Sequence, residues 1–393
     1  MSKVIALKSK RVIDGYRMIH DGIVIYADGK IQAVGSQKTT PIPEGAEVID
    51  HGDNVIAPGF IDIHIHGYKG LRANVSLEYT MGLAEFITRG GTTSFLPTVD
   101  TVAGVGYAYE AMQIQQKEGY KGAAIPGSHM EGPFLSPKNL PGRPEADSTL
   151  LPPSIELFDQ FWEASHGTIK MVDIGIDRPG AFELTRYMRD KGIVVSIAHS
   201  KSGYDLMMEA MEHGVTHATH LYNVMTGLHH RRPGITGACL SNDMIDCELI
   251  CDTIHVHPAA MEIAIRCKGY DRIAIITDLT MAGLEDGDYV RPDGVLLEVK
   301  DGICRMKGAD PNQDNTMSGS CFLQNVGVRS VYKVLGHPLE AAVRMATISP
   351  AKMMGLDSFT GSLEVGKDAD IVVFDDDVNI LETIVKGTTV YKA

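Results

Sequence analysis

Residues 57–67 read Ala57-Pro58-Gly59-Phe60-Ile61-Asp62-Ile63-His64-Ile65-His66-Gly67. Phe60, Ile61, Ile63 and Ile65 supply the apolar, partly β-branched content of a buried strand. Side chains two apart share a strand face. Asp62, His64 and His66 therefore line one side and the isoleucines the other. Gly67 ends the run, where a residue without a Cβ lets the chain turn. Two imidazoles at the carboxyl end of one strand can grip a single metal ion. The plainer alternative is a pair of hydrogen-bonded core histidines, so the metal reading requires further ligands elsewhere in the chain.

The rhythm changes on either side of this stretch. Before it, residues 1–56 read as short strands, with Asp28-Gly29 as a hairpin turn signal and no helical period. Such a segment is too small to bury a core alone. After it, strand-like runs alternate with helix-like stretches, the pattern of parallel βα units. Apolar runs end in turn at His66, Thr98, Glu131, Gly175, His199, His220, Asp252 and Asp278. About eight strand–helix units over residues 57–360 predict an α/β fold, a (β/α)8 TIM barrel. Asp301-Gly302 between two strand-like runs predicts a β-hairpin insertion near 289–307. Residues 361–393 return to strands, and are expected to join 1–56 in a small β-sandwich domain beside the barrel.

Composition narrows the function classes. The chain has 393 residues, 44% hydrophobic and 22% charged, enough for a large globular core. Its formal net charge of −14, with no basic stripe, argues against a nucleic-acid partner. An anionic substrate needs a local cationic pocket against that field. Six cysteines lie between Cys239 and Cys321 without a CxxC pair, which points to reduced thiols in a cytoplasmic protein. No apolar run approaches the roughly 18 residues of a membrane helix, so no membrane partner is expected.

In a TIM barrel the carboxyl ends of the strands carry the chemistry. His64, His66, Glu131, His199 and His220 are metal-ligand types at such ends. Five ligands exceed the three typical of one catalytic zinc. The surplus permits two metals with Glu131 bridging them. Zinc suits these donors, as do iron, manganese and cobalt. Asp278 is the remaining carboxylate, able to take a proton from a metal-activated water and pass it to a leaving group. His217 and His220 are both possible ligands on spacing; His220 is preferred as nearer the strand end. His129 shares the face of Glu131 and is expected to pack inside the barrel. His229-His230-Arg231-Arg232 is the densest cationic cluster, either a solvated loop or an anion grip.

These residues bring a family into view. Pro58–Gly67 and the closing Gly361–Phe374 resemble the signatures of the amidohydrolase superfamily. His129-Met130-Glu131-Gly132-Pro133-Phe134, Ala198-His199-Ser200, Thr219-His220-Leu221-Tyr222-Asn223-Val224-Met225 and Ile276-Thr277-Asp278 resemble its N-acetylglucosamine-6-phosphate deacetylase family. The resemblance spans essentially the whole chain. It implies removal of acetate from N-acetylglucosamine 6-phosphate, with one or two divalent metals per subunit. Glu131, His199 and His220 match the metal site retained across the family, and His64 and His66 the second site of its two-metal members. Asp278 matches the catalytic acid/base. Asn223 and Val224 match a pair contacting the sugar phosphate. Arg231 and His255 match phosphate-binding positions in pockets assembled across a homodimer interface. Met317-Ser318-Gly319 resembles a further substrate-contacting turn.

Three departures bear on the substrate. Pro141-Gly142-Arg143 stands where the family usually has a Gly-Ala-His-like segment, so Gly142 and Arg143 are expected to face the acyl group with a permanent charge in place of an imidazole. Asp173–Asp177 replaces a usual Ala-Pro-Glu segment. Gly67–Asn74 lacks the acidic residue common after His-x-His-Gly. The metal chemistry is thereby better specified than the sugar. N-acetylgalactosamine 6-phosphate or another N-acyl amino sugar is the close alternative. A phosphate-free amide and a non-catalytic metal-binding scaffold are the remoter ones.

Overall fold

The structure, a computed structural model, describes residues 3–117, 119–137, 149–290, 294–307 and 317–393. Eight strands form one sheet in chain order: β1 (Phe60–Ile65), β2 (Thr92–Val99), β3 (Ser128–Met130), β4 (Ile169–Ile174), β5 (Val194–Ile197), β6 (Val215–Ala218), β7 (Asp246–Ile250) and β8 (Ile273–Ile276). Every neighbouring pair is parallel. Helices follow the strands, among them Leu77–Phe86, Val102–Ile114, Ala181–Asp190 and Tyr204–Glu212. Ser76, Thr101 and Ser154 each cap a helix start by accepting a backbone N–H.

The seam between β1 and β8 has no regular ladder and is closed by side chains. Thr277 Oγ1 donates to Asp62 Oδ2 at 2.5 Å, and Asp62 Oδ1 also accepts the His64 N–H at 3.2 Å. Buried Gln324 donates through Nε2 to the carbonyls of Ile275 (2.6 Å) and Ile61 (3.4 Å), one on each side. At the carboxyl end, the Asp278 N–H donates to the His64 carbonyl at 3.0 Å, and the His66 and Gly67 N–H groups to the Leu279 carbonyl. The barrel is thus tied shut at its histidine-bearing strand.

Strands from both ends of the chain form a second, continuous eight-stranded sheet. Val55–Pro58 lies in it, parallel to Ile5–Ile13 and antiparallel to Ile371–Phe374. Leu7, Val12, Val24, Ile31, Ile56, Ile371 and Ile384 from these strands share one core. Other residues of the sheet, among them Ile13, Val55, Val372 and Phe374, join the main barrel core.

Several elements differ from expectation, for local reasons. The run 123–130 is a strand only over Ser128–Met130, because Pro126-Gly127 interrupts it; Ala124 keeps a single bridge to Ser94. Helix Gly234–Ser241 has no apolar stripe to read, because residues 234–240 are buried all round. The expected hairpin about Asp301-Gly302 forms between Leu296–Lys300 and Ile303–Met306, and Gly287–Val290 adds a third antiparallel strand that was not expected. Gly67 is needed for a different reason than a turn. A Cβ there would stand 1.9 Å from the Leu71 carbonyl oxygen, where residues 67–68 and 71–72 pair tightly.

Candidate active site

The barrel brings His64, His66, Glu131, His199, His220 and Asp278 to one place. Glu131 is the hub. Its Oε1 lies 3.1 Å from both His199 Nε2 and His220 Nε2, which are 3.0 Å from each other. Its Oε2 lies 3.0 Å from His66 Nε2. His66 Nε2 is in turn 3.3 Å from Asp278 Oδ1 and 3.4 Å from His64 Nε2. The carboxylate therefore faces two donor groups, one through each oxygen: Glu131 with His199 and His220, and His64 with His66 and Asp278. Imidazole nitrogens this close, aimed at one another and at carboxylates, call for cations between them. Protons or divalent metals satisfy that need, and N/O donors in these numbers suit a metal. His220, preferred over His217 from the sequence, is the one that meets Glu131, while His217 faces Glu248, 3.7 Å away.

The titration tendencies agree. Burial alone lowers the pKa of His220, but its bond to Glu131 and the charges of Asp278 and Glu248 outweigh it and push it up to about 9. Burial and Arg72 pull His66 down, yet Asp278 and Glu131 leave it raised. Burial raises Glu131 and Asp278, and their histidine neighbours hold both below the usual carboxylate range. The side chains of Glu131 and Asp278 keep 10% and 16% exposure, while His64 has none. The two carboxylates are therefore what an incoming ligand meets.

Backbone strain gathers at the same rim. His199, His220, Tyr222, Val224, Thr253 and Asp278 all have positive φ, between 33° and 78°. Such conformations are costly outside glycine and concentrate where geometry is held for function. Each lies in the loop after a barrel strand, and at His199, His220 and Asp278 the side chain meets the site.

Beneath the rim lies a buried polar layer, of which His129 was expected from the sequence and Glu248 was not. Glu248 on β7 is fully buried, and its Oε2 accepts from His64 Nδ1 at 2.7 Å and from the His220 N–H at 3.2 Å. His129 packs inside the barrel, with Nδ1 3.0 Å from the Ile63 carbonyl and Nε2 3.0 Å from Asp173 Oδ1. Asp173 also accepts from Thr219 Oγ1. Alternation in Asp246-Cys247-Glu248-Leu249-Ile250 was the one available signal for Glu248: an acid flanked by apolar residues in a strand wants an interior partner.

The remaining expected residues sit as follows. Asn223 turns its amide to the His220 and Leu221 carbonyls. Arg231 is exposed on its loop beside His230, at 2.7 Å. His255 Nδ1 is held by Asp252 Oδ2 at 2.6 Å. Met317-Ser318-Gly319 leads into Ser320, whose N–H donates to the Asp278 carbonyl; a Cβ on Gly319 would stand 3.0 Å from that oxygen. Gly142 and Arg143 lie outside the described residues.

A barrel with histidines and acids converging at its carboxyl rim defines a metal-dependent hydrolase. The chain belongs to the amidohydrolase family, which residues 55–390 match. It is 31% identical to the N-acetylglucosamine-6-phosphate deacetylase of Bacillus subtilis, over all of this chain and 98% of that protein. It is 30% identical to the N-acetylgalactosamine-6-phosphate deacetylase of Escherichia coli O157:H7, over 97% and 98% of the two chains. Among solved structures, the N-acetylglucosamine-6-phosphate deacetylase of Pasteurella multocida superposes with a TM-score of 0.87 at 28% identity, over 99% of this chain and 100% of the other. That of Mycobacterium smegmatis, in a mutant form holding N-acetyl-D-glucosamine-6-phosphate, gives 0.87 at 26% identity, over 99% and 100%.

Proposed function

We propose that the chain removes the acetyl group of N-acetylglucosamine 6-phosphate, giving glucosamine 6-phosphate and acetate. The carrying observation is the division of Glu131 between two donor groups, with Asp278 against the second. Glu131, His199 and His220 would hold one divalent metal, and His64 with His66 a second, with Glu131 shared. Zinc fits the donors first; iron, manganese and cobalt fit them too. When bound, the metal supplies Lewis-acid activation of water and of the amide carbonyl. Asp278 takes the water proton on Oδ1, which the neighbouring histidines keep ionised, and delivers it to the departing nitrogen. Without that delivery the amine is a poor leaving group.

The family resemblance implies Asn223, Val224, His255 and the Met317–Gly319 turn as substrate contacts, and assigns Gly142 and Arg143, which lie outside the described residues, to recognition of the acyl group. Arg231, exposed and cationic, serves phosphate from across a homodimer interface, as the family resemblance implies. Six free cysteines fit a cytoplasmic enzyme. A second reading, the same reaction on N-acetylgalactosamine 6-phosphate, is favoured by the Escherichia coli relative.

Acetate release from a panel of N-acyl hexosamines, phosphorylated and not, tests this against metal content of the same sample. The glucosamine phosphate should have the highest kcat/KM. A phosphate-free amide turned over faster would overturn the assignment, and a faster galactosamine phosphate would select the second reading.

A further inference from the structure

We propose that Glu248 is the positioning residue that makes the His64/His66 group a metal site. The inference rests on the two-metal reading above and names a group outside its ligand set. Glu248 Oε2 receives the ring nitrogen of His64 that faces away from the site, at 2.7 Å, and the N–H of His220 at 3.2 Å. One oxygen thus ties a ligand of the second group to the backbone of a ligand of the first. Holding His64 through Nδ1–H fixes the tautomer that leaves the Nε2 lone pair aimed at His66, Glu131 and Asp278.

Charge balance points the same way. Two divalent ions would bring four positive charges to a rim where Glu131 and Asp278 supply two negative ones. Glu248 adds a third, fully buried and one imidazole away. The groups facing it from neighbouring strands are histidines: His64 on β1, His217 on β6 and His129 beyond them.

Glu248→Gln separates this role from simple packing. The amide oxygen can accept both existing hydrogen bonds. The amide NH2 would replace Oε1, which has no hydrogen-bond partner and lies 3.7 Å from His217 Nε2. The substitution therefore removes the charge and little else. Metal binding to the full-length apoprotein is measured by titration with Zn2+ and with Co2+, the latter also by its visible absorption. Wild type should take up two equivalents. In Glu248→Gln the second equivalent should weaken about 10- to 100-fold, the range found for outer partners of ligand histidines. The first equivalent and the thermal midpoint of the apoprotein should hold. His64→Asn should bind one equivalent, and adding Glu248→Gln to it should change nothing further.

Two equivalents at wild-type affinity in Glu248→Gln would overturn the proposal and leave the two-metal reading standing. Equal weakening of both sites, or a further loss in the His64→Asn background, would overturn it in favour of a general barrel role. A wild type that binds one equivalent would remove the two-metal reading and this inference together.

Discussion

Asp278 is where a single atom exchange tests the chemistry most directly. Its carboxylate is ionised by its histidine neighbours and partly open to ligands. Asp278→Asn preserves shape and removes the proton acceptor. Turnover should fall at least about 10³-fold, on the scale of lost general acid–base catalysis, while metal content by elemental analysis stays at the wild-type level. Retained turnover would sink the assigned role. His64 and His66 carry a different expectation. Replacing both by asparagine should leave Glu131, His199 and His220 able to hold one metal, so stoichiometry should fall from two to one. Unchanged stoichiometry would refute the second site. The identities of these six residues were legible because five close apolar runs and His64 shares a strand face with His66. Glu248 was not, because a buried acid inside a strand has meaning only once its spatial partners are known.

At the scale of elements, the seam between β1 and β8 is the weak line of the barrel. It lacks a ladder, and Gln324 spans it with one amide. Gln324→Ala would strand two buried carbonyl oxygens and open a small void. Thermal or denaturant unfolding should show about 2–3 kcal/mol lost. An unchanged midpoint would mean the seam closes without it. Gly67 is the sharper case. Its missing Cβ lets the Leu71 carbonyl lie against the strand end that carries His66. Gly67→Ala must displace that backbone, and the displacement acts on His66 directly. The expected result is loss of the second metal equivalent together with turnover, and a two-metal, fully active variant would contradict it. The turn reading of Gly67 named the right residue for the wrong cause, since close approach of a segment four residues on cannot be read from local sequence.

Across the whole molecule, both chain ends meet in one sheet that shares the barrel core, and Asp370 sits at the junction. It is buried, accepts from Thr360 Oγ1 at 2.8 Å and the Lys386 N–H at 2.9 Å, and precedes the strand Ile371–Phe374. Burial raises its pKa to about 6, against hydrogen bonds that lower it. The folded state thus binds this proton more tightly than the unfolded chain. Its contribution to stability is full below about pH 4 and is lost as pH rises through about 6. Asp370→Asn should flatten that fall by up to about 3 kcal/mol, a two-unit shift at 1.36 kcal/mol each. Urea midpoints for both proteins from pH 4 to 7.5 check it. Parallel curves would show that Asp370 titrates alike in both states.

Hydrophobic periodicity, strand–helix alternation and the residues closing each apolar run determined the barrel, the ligand candidates and the strand-only ends. These follow from local chemistry, because a strand face and a helix stripe are written in consecutive residues. Only the tertiary structure decided that His220 and not His217 joins Glu131, that Glu131 is divided between two donor groups, and that Glu248 stands behind His64. Those facts depend on which side chains meet across eight strands far apart in sequence. Strand register and packing set that meeting, and neither is encoded in any one stretch of the chain.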